Sequence, residues 1–250
     1  MPNHISNRLE VNANSAEELN SFLEAIKGNE KIDGDYPVID FNKIIPMPEE
    51  LRDTEASSMT DDSIYYYLVK TGQEELVSRI LRHPAFYTMD RFNKYPQEKL
   101  DTFMVTGEKY VNIFLKYGAK DWYDWSNANW GTKWNAYNTN VVPSLDGLTA
   151  TFYFQTAWSG VPDIIATLTE KYPDLTFDYA YADEDMGCNC GEGYGEDGEF
   201  SFRYVPSGDD AMELFIKAWD YDADDFYQDD NGEWHNREWE EDEDDEEDDE

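Results

Sequence analysis

Two strand–helix units flanking a long helical stretch, strands apolar on one side, and helices with a single apolar stripe predict an α+β sandwich of the split βαβ, ferredoxin-like kind. A helical insertion and an acidic C-terminal tail complete the expected plan. The chain has 250 residues, 40% hydrophobic and 16% aromatic, which is ample for a core of that size. The folded domain is expected over residues 1–219, with the insertion near 49–120 and the tail over 220–250.

Each element follows from local pattern. Ile5, Leu9 and Val11 fall on one side of a first strand, with Ser6, Arg8 and Glu10 on the other. Ser15 and Glu18 make a capping box, and Leu19, Phe22, Leu23 and Ile26 follow at helical spacing up to Gly28. Val38 to Ile45 is apolar enough for a second strand, stopped by Pro46-Met47-Pro48. From Glu49 to Lys120 the period is helical, and this is the insertion. Alternation returns with Leu148, Ala150, Phe152 and Phe154 on one face of a strand. Pro162 then opens a helix bearing Val161, Ile165 and Leu168, before a strand with Leu175, Phe177, Tyr179 and Tyr181 on one side. Gly187 to Gly198 contains five glycines and reads as a long hairpin loop leading to the strand of Phe200, Phe202 and Tyr204. Met212, Phe215, Ile216 and Trp219 mark the last helix, and the folded body is expected to end near Trp219. Five of the eight tryptophans lie between Trp122 and Trp158. Trp130, Trp134 and Trp158 are therefore expected to pack in the core.

Three motifs in order, Asp40-Phe41-Asn42-Lys43-Ile44-Ile45-Pro46-Met47-Pro48, Asn129-Trp130-Gly131-Thr132-Lys133-Trp134-Asn135-Ala136, and Thr156-Ala157-Trp158-Ser159 with Pro162, resemble the markers of the YubB-type ferredoxin-like family of plasmid and phage accessory proteins. The resemblance runs from Pro2 to Tyr204. It implies a ferredoxin-like fold and a mobile-element origin, and it carries over no catalytic residues.

Charge bounds the function. Against 19 basic residues stand 56 acidic ones, a net charge of -37. Direct binding to nucleic acid or an anionic membrane is disfavoured, and a basic partner is expected. Of the last 13 residues, 12 are acidic. Extended, they space carboxylates about 3.7 Å apart, near the ~3.4 Å between phosphates of one DNA strand. The expected partner-binding residues are Asp220, Asp222, Asp224, Asp225, Asp229, Asp230, Trp234, Trp239, Glu240, Glu241, Asp242, Glu243, Asp244 and Asp245. Aromatics interleaved among these acids are expected to anchor the segment on the body or on a partner. Asp183, Glu184, Asp185, Asp209 and Asp210 form an expected secondary acidic patch.

Other chemistry is sparse. Cys188 and Cys190 supply half of a tetrahedral metal shell, with His4, His83 and His235 remote in sequence, so neither a metal nor another cofactor is expected. The start of a calcium loop at Asp220-x-Asp222-x-Asp224 lacks its glycine and its bidentate glutamate. No catalytic residues are assigned. Two cysteines, no apolar run of membrane-spanning length and no signal-like N-terminus lead to a cytoplasmic expectation. The expected function is non-enzymatic: an acidic inhibitor that occludes the nucleic-acid site of a basic host protein, such as a restriction or CRISPR-type defence nuclease, by mimicry. The alternative is a structural or regulatory protein-binding module whose tail only solubilises or shields.

Overall fold

The structure, a computed structural model, describes residues 3–31 and 36–237. Its elements run β1 (His4–Asn12), α1 (Ala16–Ile26), α2 (Phe41–Ile44), α3 (Glu49–Arg52), α4 (Ser58–Lys70), α5 (Val77–Ile80), α6 (Gln97–Tyr117), α7 (Trp122–Asn129), β2 (Tyr137–Pro143), β3 (Thr149–Ala157), α8 (Pro162–Lys171), β4 (Thr176–Asp183), β5 (Cys190–Glu196), β6 (Glu199–Val205), α9 (Asp209–Trp219), β7 (Phe226–Gln228) and β8 (Trp234–Asn236). They form two compact units, the described parts of Met1–Ile45 with Trp130–Glu250, and Pro46–Asn129. The insertion thus begins three residues before and ends nine residues after the expected limits.

The first unit is built on a six-stranded sheet of order β2-β3-β1-β4-β5-β6. Every pair is antiparallel, and β1 lies between β3 and β4. The β2-β3-β1-β4 core, with α1 and α8 on one face, has the connectivity of a ferredoxin-like α+β fold, and β5 and β6 extend it. Ile5, Leu9 and Val11 are fully buried beside Phe152, Phe177 and Tyr179 across the ladders. Phe22 of α1 meets Phe152 and Phe177 edge-on, sealing that face. Ser15 caps α1 by accepting from the Glu18 N–H at 3.2 Å. On the opposite face α9 packs Ala211, Met212, Phe215 and Ala218 against Ala180, Ala182, Cys190 and Val205.

A buried polar network fixes the centre. Asn7 has no exposure, and its amide donates to the Phe154 carbonyl at 3.3 Å and the Thr156 hydroxyl at 2.9 Å. Tyr179 donates to Asn7 Oδ1 at 2.6 Å and accepts from the Val161 N–H at 2.7 Å. Thr156 in turn donates to the Ser159 carbonyl, and Thr132 bonds both the carbonyl and the N–H of Ala157.

Four expectations change. Val38 to Ile45 is not a strand: Asp40 caps the short helix α2 through the Asn42 N–H, and Asn135 holds both Asp40 and the Phe41 N–H. The missing strand is β2, an edge strand whose exposed residues are Asn138, Asn140, Val142 and Pro143. Within the expected glycine loop lies β5, because Gly191, Gly193 and Gly195 face Tyr181, Phe202, Phe200 and Thr169, where a Cβ would clash. The turn itself is Asp197-Gly198. Trp134 and Trp158 are not core residues, being 38% and 41% exposed against 4% for Trp130.

The fourth change is the domain end. Past Trp219 the chain turns at Asp220, makes one 3-10 turn over Ala223–Asp225 and forms the β7–β8 hairpin. Phe226 is 5% exposed and meets Phe215 edge-on, Tyr221 stacks on Trp219, and Trp234 packs against the same cluster. The folded body therefore includes residues 220–237. Apolar side chains recur there without a period, since each reaches back to α9 from a turn or a three-residue strand.

The second unit packs α4 against α6. Gly107 permits the contact, since a Cβ there would lie 2.2 Å from the Ser63 carbonyl oxygen. The unit buries an ionic cluster in which Lys120 Nζ lies 2.7 Å from Asp121, 3.1 Å from Asp124 and 3.5 Å from Asp61. Tyr87 donates to Asp61 at 3.3 Å, and Asp62 pairs with Arg91 at 3.0 Å. Burial disfavours the Lys120 ammonium, but Asp121, Asp124 and Asp61 outweigh it and its pKa is raised. Burial also raises Asp61, against the opposing pull of Lys120 and Tyr87.

Three outcomes are expected. Phe226→Ala should lower stability by about 3 kcal/mol, and a chain ending at Trp219 should melt at a lower temperature than the full chain. Both are read by thermal or urea denaturation. Trp130→Ala should cost on the order of 3 to 5 kcal/mol, whereas Trp134→Ala and Trp158→Ala should cost much less, as side chains left partly in water do. The third outcome concerns pH. Because the folded pKa of Asp61 lies above the ordinary value of about 4, its stabilising contribution is complete below that value and is lost as pH rises through the folded one. Asp61→Asn should remove this dependence, so the difference between variant and wild type in urea melts should move in the variant's favour as pH rises through that window. A difference that stays flat would mean that Asp61 titrates alike in both states.

Candidate functional site

Acidic side chains at the end of the sheet and along the C-terminal hairpin have distinct tasks. Asp183 is buried, 4% exposed, and accepts from Asn3 at 3.0 Å, Asn189 at 2.8 Å and the Asp185 N–H at 3.1 Å. It holds the turn after β4 and is withdrawn from the surface patch, while Glu184 and Asp185 are exposed. Asp209 accepts from Gln228 at 2.9 Å and Trp234 Nε1 at 3.2 Å, docking the hairpin onto the start of α9. Asp210 pairs with Arg203 at 2.8 Å.

Along the expected binding segment, Asp220 ends α9 in the left-handed conformation and accepts from the Tyr153 hydroxyl at 3.3 Å. Asp222 caps the 3-10 turn through the Asp224 N–H. Asp224, Asp225 and Asp230 project from that turn and from the hairpin loop. Asp229 accepts from the N–H groups of Glu233 at 2.8 Å and Asn231 at 2.9 Å, and these bonds hold its carboxyl below the usual carboxylate range. Trp234 is half-buried and anchors the hairpin on the body. Trp239, Glu240, Glu241, Asp242, Glu243, Asp244 and Asp245 lie outside the described residues.

Groups that could do chemistry are held in structural roles. Burial pushes Cys190 up to about 12, and its thiol donates to the carbonyls of Cys188 and Ala211. Cys188 is likewise raised, by burial first and by Asp183 and Asp185 second. Neither thiol is poised as a thiolate for a metal or for nucleophilic attack. Tyr179 is kept neutral by complete burial. Lys120 stays protonated amid its carboxylates, which removes it as a base. Asp229, Glu233 and His235 bring ligand atoms within 4.8 Å of one another and could hold a divalent cation, but the two N–H bonds to Asp229 already account for its place in the turn. A depression of about 340 Å³ on the α9 face is lined by Asp178, Glu192, Tyr194 and Arg203. Its charges pair internally, Arg203 with Glu192 at 2.6 Å and Asp178 with Lys217 at 2.7 Å. Lys133 beside the tryptophans reads in the sequence as a surface lysine, and the fold adds Trp158 to it: Lys133 Nζ lies 4.5 Å from the Trp134 ring centre and 5.2 Å from that of Trp158. The adjacent Lys133-Trp134 pair was the available signal, but the distant Trp158 joins it only through the fold.

No described helix is long and apolar enough to cross a membrane. No curated protein matches the chain. Among solved structures, the crystal structure of a protein Api92 from Yersinia pseudotuberculosis aligns over 83% of this chain and 98% of its own, at 9% identity and a TM-score of 0.39. Residues 129–250, from the return out of the insertion to the C-terminus, match the family described as the ferredoxin-like domain in Api92-like protein. The chain is thus an α+β protein whose C-terminal half is similar to the ferredoxin-like domain of Api92-like proteins.

Proposed function

We propose that this chain is a non-enzymatic acidic binding protein of the plasmid or phage accessory kind that the YubB-type resemblance implies, acting in the host cytoplasm. It binds a basic protein that handles nucleic acid, such as a restriction or CRISPR-type defence nuclease, and occupies the site where nucleic acid would lie. The observation that carries this reading is uncompensated charge. The net charge is -37, and many of the few basic side chains are spent inside the chain. Arg8, Arg82, Arg91, Lys116, Arg203 and Lys217 sit in ion pairs, and Lys120 is buried among three aspartates. A cleft rich in lysine and arginine would meet carboxylates almost unopposed.

The alternative reading, a structural or regulatory module bound through its folded surface, draws support from Asp183, Asp209, Asp220, Asp222 and Asp229. These acids are engaged in holding turns and caps, and their side chains are not simply free charge.

Binding of the full chain to a captured host nuclease should weaken steeply between low and high salt and should exclude duplex DNA. Changing the acids of Glu238–Glu250 to Asn or Gln should flatten the salt dependence. Titration calorimetry in a salt series, with DNA as competitor, checks both. A complex that persists at high salt while its partner still binds DNA would replace mimicry by the alternative.

A further inference from the structure

The two edges of the six-stranded sheet are built differently. At β2 the register breaks between Tyr137 and Asn140, Asn138 has a φ of 49°, and Pro143 ends the strand. Each of these blocks a further strand from pairing. At the other edge β6 has none of them. Its register with β5 is unbroken from Cys190↔Val205 to Glu196↔Glu199, and five of its seven residues are exposed. Phe200, Phe202 and Tyr204 share one face, yet the phenylalanine rings do not shield the edge. Phe200 lies over Gly193 and Phe202 over Gly191, and Phe202 stacks on Tyr181 of β4. These rings lean inward over β5 because β5 has no side chains in their way. The outer row of backbone N–H and C=O groups on β6 therefore has no strand beside it among the described residues.

We propose that β6 accepts an added strand, namely an extended basic segment of a partner protein that pairs with Glu199–Val205 through main-chain hydrogen bonds. Charge selects this occupant. Between Cys190 and Asp210 stand six acids, Glu192, Glu196, Asp197, Glu199, Asp209 and Asp210, against one base, Arg203. Arg203 is itself held by Glu192 and Asp210. A second copy would bring the same acidic strand on a chain of net charge -37, so self-pairing is opposed. Alternate side chains of the added strand lie beside Phe202 and Tyr204 on one face and, on the other, beside Glu199, Ser201 and Arg203, whose charge Glu192 and Asp210 already meet. A segment alternating apolar residues with lysine or arginine fits both. The proposal rests on this chain being a binder of basic proteins and does not require nucleic-acid mimicry.

The probe is a synthetic peptide of alternating valine and lysine, added to the full chain. Controls are a peptide of the same composition with its lysines in one block, and two versions N-methylated at alternate residues in either phase. Hydrogen exchange should slow at β6 amides, and one N-methylation phase should weaken binding about tenfold while the other leaves it nearly unchanged. Ser201→Lys and Tyr204→Lys, each checked by melting, should weaken it too. Neutralising the acids of Glu238–Glu250 should leave the β6 protection in place. Equal affinity for the block peptide and both N-methylated peptides, or protection elsewhere with β6 unchanged, overturns the proposal. So does protection of β6 that rises with protein concentration in the absence of peptide, since a second copy is then the occupant. If β6 fails while salt-dependent partner binding through the neutralised acids persists, only the edge proposal falls. If β6 is protected while those acids prove irrelevant, only mimicry falls.

Discussion

Asn7 is the residue on which the arrangement of the sheet turns. From the middle of the central strand its side chain bonds β3 at Phe154 and Thr156 and β4 at Tyr179, and Tyr179 passes the connection to the N–H that opens α8. A one-residue slip of β1 would bring Ser6 or Arg8 to this place and move Leu9 out of the core. The Tyr179 hydroxyl would then be buried with no acceptor for its proton, at roughly 1 to 3 kcal/mol. A fully satisfied polar group in an apolar interior thus specifies register more sharply than apolar packing alone can. The turn from Ala157 to Pro162 hangs on the same bonds, and Thr132 and Ser159 extend them to the segment that returns from the insertion.

Elements with a clean period were legible. β1, α1, β3, α8, β4 and α9 each bury one face for seven or more residues, and alternation or a helical stripe marks each of them. These six make up the strand–helix units that predict an α+β class, while β2, the remaining strand of the ferredoxin-like core, is not among them. Val38 to Ile45 misled because apolar content does not distinguish a strand from a single helical turn. What decides there is Asn135, 94 residues beyond Phe41 in the chain, whose side chain binds the Phe41 N–H and Asp40. β2 was invisible because none of its residues is fully buried, so no apolar row alternates along it. β5 was read as loop because its glycines are there for the rings of neighbouring strands, a reason that lies outside its own sequence.

The candidate surface was legible in amount and not in role. Counting carboxylates yields the field of the molecule, but Asp183 and Asp229 are as acidic in sequence as Glu184 and Asp230 while serving as turn acceptors. Aromatics among the acids were a sound sign of anchoring, and Tyr221, Phe226 and Trp234 reach back onto α9. Tryptophan count was a poorer guide to burial. Trp130 donates to the Ile45 carbonyl from within the core, whereas Trp134 and Trp158 keep a face in water beside Lys133.

The position of β1 also orders events in time. It leaves the ribosome well before either of its neighbours, since β3 and β4 are made only after the whole insertion: His4 pairs with Ala157 and Ile5 with Asp183. At about 5 to 20 residues per second, the strand waits on the order of 8 to 30 seconds for its first partner. During that interval Ile5, Leu9 and Val11 are held only by α1 and by whatever binds nascent chains, while the helical contacts of residues 46–129 are local enough to form at once. The middle of the finished sheet is in this way the longest exposed part of the growing one.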